Sequence, residues 1–185
     1  MGSSVKTSES GVTLIEVLMA SFFLTIALMA VAFSMGAGIS AAYVSQEQLI
    51  AKQKAQEALE AVIMARNTQE IGFSQILNVA DGGIFVAGFQ PLKDMGVDGI
   101  PNTADDTGAV ESITFPGKDG QLGTADDVTI SLTGYQRQIT ISTITLPAPD
   151  TNVDPDVRRI DVDVQYVVRG VTKTVRVSSL ISRFS

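Results

Sequence analysis

Hydrophobic and polar positions divide the chain into stretches of different period. From Val12 to Val44, thirty-three residues carry a single charge, Glu16, and Leu, Ile, Val, Phe, Met and Ala fill most of the rest. About 20 such residues cross a bilayer core as a helix, so this stretch is long enough with several turns to spare. A secretory signal sequence is the competing reading, but its apolar region runs only ~7–15 residues. No breaker separates the next stretch. Over Ser45–Arg66, Ala51, Ala55, Ala58, Leu59 and Val62 recur at helical spacing, while Glu47, Lys52, Lys54, Glu57 and Glu60 stay mostly off that face. The spacing predicts one continuous helix whose first half is membrane-compatible and whose second half lies on a core.

After Arg66 the period changes. Gly82-Gly83 signals a turn, and Ile84–Phe89 reads as a short strand. From Val128 onward apolar residues alternate with polar ones: Val128–Leu132, then Ile139 and Ile141, then Ile144 and Leu146. Ile160, Val162, Val164, Tyr166 and Val168 share one face, with Asp161, Asp163 and Gln165 on the other. Arg169-Gly170 reads as a tight turn, and Val171, Val175 and Val177 begin a returning strand. Pro147, Pro149 and Pro155 among aspartates predict a surface loop. Period two with a polar alternate face means antiparallel strands buried on one side, for which the amphipathic half-helix is the available cover. The fold class expected is α+β.

The chain has 13 Lys and Arg against 20 Asp and Glu, a formal charge of −7, and neither histidine nor cysteine. Cys/His metal sites, thiol nucleophiles, a histidine base and disulfides are therefore excluded. The acidity is local: residues 94–127 hold eight acids and one base, and the remainder balances. Repulsion from phosphates argues against nucleic acid as a partner.

Glu16 stands in Gly11-Val12-Thr13-Leu14-Ile15-Glu16-Val17-Leu18, after a short polar leader carrying Lys6. This segment resembles the prepilin cleavage and methylation motif of type IV pilins and the pseudopilins of type II secretion. The likeness covers roughly residues 1–66. It implies a leader over 1–11, a membrane and filament-core helix over 12–44 and a pilin head over 45–185. It further implies cleavage after Gly11 by a prepilin peptidase, methylation of the new amino terminus at Val12, and a role for Glu16 in assembly. In that family the glutamate pairs with a neighbouring subunit's amino terminus, which removes the cost of a lone carboxylate among apolar helices. Val12 departs from the Phe or Met commoner at the first mature position. The stretch Gln53–Glu60 followed by Arg66-Asn67 is similar to minor pilins.

The acidic window is a tandem repeat. Gly96–Asp106 and Gly117–Asp127 share seven of eleven residues, including Asp-Gly and Thr-Ala-Asp-Asp. Hard oxygen donors on glycine-permitted turns suit Ca²⁺. The candidate ligands are Asp98, Asn102, Asp105 and Asp106 in the first unit and Asp119, Asp126 and Asp127 in the second. The alternative is a pair of solvated turns in which each aspartate accepts backbone N–H groups. The units also resemble acidic loops of bacterial surface proteins for which calcium is the usual inference. Asp106-Thr107-Gly108 spells the aspartic-protease tripeptide, but no second tripeptide faces it, and no phosphate-binding glycine loop is present.

The expected function is that of a filament subunit and not an enzyme. It would be anchored in the bacterial inner membrane, then assembled into a periplasmic or extracellular filament with other pilin subunits through a membrane assembly platform. A membrane-anchored, calcium-binding surface module that does not polymerise is the alternative.

Overall fold

The computed structural model describes residues 13–146 and 152–184. Gly11 and Val12, and with them the expected processing site, lie outside the described residues, as do Pro147 and Pro149. The chain divides into two compact units, Met1–Ser45 and Gln46–Ser185.

One helix, α1 (Leu14–Asn67, 54 residues), runs through both. Within the first unit it is apolar all round: from Leu14 to Ile39 its large hydrophobic side chains are between 49% and 80% exposed. Burying such a side chain is worth about 1.5–3 kcal/mol. This surface is therefore built for an apolar solvent or for apolar neighbours. By length and composition the helix can cross a membrane. Ser21 and Thr25 hydroxyls donate to the carbonyls of Leu18 and Ser21, which satisfies them without leaving the helix.

In the second unit α1 becomes one-sided. Ala51, Ala55, Ala58, Leu59 and Val62 are buried, together with Ile50 and Ala65. They join one core with the strands.

That sheet has the order β1-β4-β5-β6, from β1 (Gln90–Pro91), β4 (Tyr135–Thr145), β5 (Val153–Val168) and β6 (Val171–Ser182), with antiparallel pairs throughout. Ile139, Ile141, Ile160, Val162, Val164 and Tyr166 face the core. Asp161 and Asp163, on the opposite face, are also buried, because Arg159, Ser178 and Arg176 fold over them. Arg169 (φ 52°) and Gly170 (φ 76°) form the two-residue turn between β5 and β6, both left-handed as such a hairpin requires.

Three expectations need correction. Val128–Ser131 is an antiparallel strand (β3) as expected, paired with β2 (Ser112–Phe115) in a separate two-stranded sheet, but it is exposed on both faces and not buried on one. Ile84–Phe89 is not a strand. Phe85 makes one isolated bridge to Asn78, and Gly88 (φ 83°) turns the chain away at once. Pro155 lies inside β5, where the pairing passes from Thr143↔Arg158 to Ile144↔Asp154. The three β5 residues left over there include the proline, which has no N–H to contribute to a ladder.

Candidate functional site

The two acidic units adopt the same closed turn. In the first, one oxygen of Asp105 (Oδ2) accepts the N–H groups of Val97 (2.9 Å) and Asp98 (3.4 Å), and the other accepts the Thr103 hydroxyl (2.6 Å). In the second, Asp126 accepts the N–H groups of Lys118 (2.6 Å) and Asp119 (3.4 Å) and the Thr124 hydroxyl (2.8 Å). Asp98 accepts from Ile100 and Asp119 from Gln121, each closing an Asx turn. Asp106 accepts from Asn102 and Asp127 from Gly123, both at 2.6 Å. Twenty-one residues apart, equivalent atoms do equivalent work.

Each glycine of the repeat has a stated reason. A Cβ on Gly96 would lie 2.1 Å from the Asp105 carboxylate, and one on Gly117 would lie 2.3 Å from that of Asp126. Gly99 and Gly120 hold φ near 63° and 70°. Asn102 (φ 62°) and Gly123 (φ 88°) occupy the same left-handed position, so asparagine replaces glycine where asparagine is the tolerated alternative.

What distinguishes the units is their surroundings. Ile100, Asn102 and Thr103 are buried, whereas the second unit is exposed along almost its whole length. The Asn102 side chain is not turned toward the aspartates. Its Nδ2 donates to the Arg137 carbonyl and its Oδ1 accepts from Arg137 Nε, both at 3.0 Å. Arg137 is 1% exposed. It also faces Glu111 at 3.5 Å, and Glu111 meets Lys54 of α1 at 2.7 Å. A chain of buried charge thus runs from α1 through Glu111 and Arg137 to the first acidic turn.

Local electrostatics follow from these contacts. The Thr103 and Thr124 hydroxyls hold the Asp105 and Asp126 carboxyls below the usual range, with backbone N–H groups adding to the effect. Burial pushes Asp106 upward against its two N–H donors. Burial lowers Arg137, with Glu111 opposing. Burial also opposes the charge on Lys54, but hydrogen bonds to Glu111 and Glu57 outweigh it and hold the ammonium above its ordinary value.

Among the described residues no three acidic side chains converge closely enough to share one metal ion. Each aspartate points back into its own turn, so the calcium expectation draws no support from this geometry. Asp106 of the Asp-Thr-Gly tripeptide likewise spends its oxygens on Gly96 and Asn102.

No family model, curated protein or solved structure matches this chain.

Glu16, the remaining predicted site residue, sits exposed in the first turn of α1, where its N–H bonds the Thr13 carbonyl at 3.0 Å. A carboxylate is favoured there by the helix dipole. Two charged residues of the inner network, Glu111 and Arg137, were not singled out by sequence. Arg137 did carry a signal, since it shares the alternating face of Tyr135, Ile139 and Ile141. Tyr135 and Tyr166 are packing residues, stacked at 5.7 Å, and the Tyr135 hydroxyl donates to Glu47 of α1. Burial raises the Tyr135 pKa, and the Glu47 contact raises it further.

Proposed function

We propose that this chain is a pilin-like subunit that assembles through the apolar half of α1, after removal of residues 1–11. One observation carries the reading: an all-round apolar, unpartnered helix whose single charge, Glu16, stands in its first turn, directly after the sequence Gly-Val-Thr-Leu-Ile. A lone carboxylate in such a helix is costly in a bilayer, about 2.5–3.5 kcal/mol when central. A cation supplied by a neighbouring chain removes that cost. The role is structural and not catalytic, and the partners are further copies or related subunits, a prepilin peptidase and a membrane assembly platform. The membrane is the bacterial inner membrane before assembly.

Mass spectrometry of the protein from its native membrane is the direct test. The expected mature amino terminus is methylated Val12. Gly11→Val is expected to leave the full precursor, and Glu16→Ala to be cleaved yet absent from assemblies. A wild-type protein that retains Met1–Gly11, with both variants behaving normally, would replace the filament subunit by a plain anchored module.

Calcium enters as a separate proposal. A carboxylate offers about four acceptor positions, and the turn bonds use only part of that capacity. A modest rearrangement within each turn would let Asp98, Asp105 and Asp106, or Asp119, Asp126 and Asp127, take an ion. Binding is expected at the millimolar affinity of extracellular modules. Millimolar Ca²⁺ is then expected to raise the melting temperature by a few degrees, and a chelator to reverse it. A flat titration with no chelator effect would leave the loops as self-closed turns.

A further inference from the structure

We propose that the tip of the β5–β6 hairpin in one copy of this chain docks on the second acidic turn of the next copy. The proposal rests on the filament reading and names a head-to-head contact that the helix alone does not supply.

The two surfaces carry opposite charge, and neither has an ion-pair partner among the described residues of one copy. At the hairpin tip, residues 164–175 contain two bases, Arg169 and Lys173, and no acid. Elsewhere on this hairpin each exposed arginine already has a carboxylate: Arg159 with Asp161, Arg176 with Asp163, Arg183 with Asp156. Arg169 and Lys173 have none among the described residues, and the nearby Val167 and Val171, on opposite faces of the tip, are 58% and 59% exposed. The second acidic turn shows the inverse pattern. It carries Asp119, Asp126 and Asp127 against Lys118, and presents Leu122 at 65% exposure. Among the described residues, none of its side-chain hydrogen bonds leaves the turn. It is a preformed turn, whereas its twin is tied to the core through Ile100, Asn102 and Thr103.

Topology then sets the kind of contact. The hairpin tip belongs to the β6 edge of the sheet. The second turn hangs from β2–β3, which is reached beyond β1, because Glu111 N–H donates to the Leu92 carbonyl and Leu132 N–H to the Glu111 carbonyl. A patch on one edge that fits a patch on the other makes a heterologous contact, which repeats from copy to copy and builds a filament where the rotation does not close into a ring. Two unlike surfaces, each a rigid two-residue or Asx-closed turn, meet with little ordering cost.

The chain has no cysteine, so introduced thiols report this contact without background. Gln121→Cys and Thr172→Cys keep every charge and apolar side chain named above. Each is expressed in the full chain, the two are combined in native membranes, and a short bifunctional thiol reagent is added. The expected product is a 121–172 cross-linked dimer, absent from either variant alone and from Gln121→Cys combined with Val153→Cys. In calcium-free buffer, where the acidic turn keeps its full charge, adding R169E/K173E is expected to cut its yield roughly fivefold at low salt, with a smaller effect at high salt. Co-purification of tagged with untagged copies reads assembly independently. Assembly without the 121–172 product, or a 121–121 product in its place, overturns the docking and leaves the filament. No assembly by the wild-type chain overturns both.

Discussion

Replacing Arg137 with methionine is expected to lower the stability of the Gln46–Ser185 unit by about 3 kcal/mol. Truncating one member of a buried pair costs about 3–5 kcal/mol, because the partner charge is left without compensation. Here Glu111 keeps Lys54 at 2.7 Å, so the lower end applies. Asn102 loses both bonds that tie the first acidic turn to β4 if the strand shifts, and one of them in any case. At ~2–4 °C per kcal/mol for a unit of this size, the melting temperature falls by roughly 6–12 °C. Thermal unfolding of the full chain in detergent, followed by circular dichroism, measures it. Arg176→Met removes a bidentate but exposed partner of Asp163 and is expected to lower the melting temperature far less than Arg137→Met. E111Q/R137M removes both charges and is expected to recover part of the loss. Equal effects of Arg137→Met and Arg176→Met would show that the inner network contributes nothing special.

The matched pair Gly96→Ala and Gly117→Ala is the second large effect, and its asymmetry is the point. In both, the new methyl group lands on the carboxylate that closes the turn. Asp105 must then give up Val97, Asp98 and Thr103, and Asp126 must give up Lys118, Asp119 and Thr124. Crowding and lost charge-assisted bonds destabilise the whole unit only where the turn is tied to the core. The first turn is tied there through buried Ile100, Asn102 and Thr103, although residues 96–99 are exposed. Gly96→Ala is therefore expected to lower the melting temperature by at least about 4 °C. The second turn opens locally without the core following, so Gly117→Ala is expected to shift global melting by no more than about 2 °C. Hydrogen exchange at Lys118 and Asp119 would still report its opening. Equal global losses would mean that the second turn is as integral as the first.

Those two predictions show which part of the molecule was legible beforehand. The face Ala51, Ala55, Ala58, Leu59, Val62 lies in the core, because spacing along one helix is a local property that burial has to respect. The same holds for Ile160 to Tyr166 and for the Arg169-Gly170 turn, whose residues are close in sequence. The duplication at 96–106 and 117–127 was visible by identity, and identical residues made identical turns. Reading failed where the partner is distant. Val128–Ser131 alternates as a sheet strand should, yet its partner is Ser112–Phe115 and not β4, and alternation carries no information on partners. Ile84–Phe89 had the composition of a strand, but Gly88 and the bond from Val86 N–H to the Asn102 carbonyl committed it to a loop. Asn102 stands among aspartates in the sequence, and its bonds to Arg137, 35 residues on, are invisible there.

By itself the sequence determined the long helix with a lone glutamate in its apolar half, the one-sided second half of that helix, the β5–β6 hairpin and the existence of two like acidic turns. Each follows from periodicity, turn chemistry or repetition within about a dozen residues, where backbone sterics and burial leave few alternatives. Only the tertiary structure decided that the two turns differ. Arg137 lies 35 residues beyond Asn102 and Lys54 lies 57 residues before Glu111. Their meeting depends on how helix and sheet pack, and that packing makes one turn part of the core and leaves its copy at the surface.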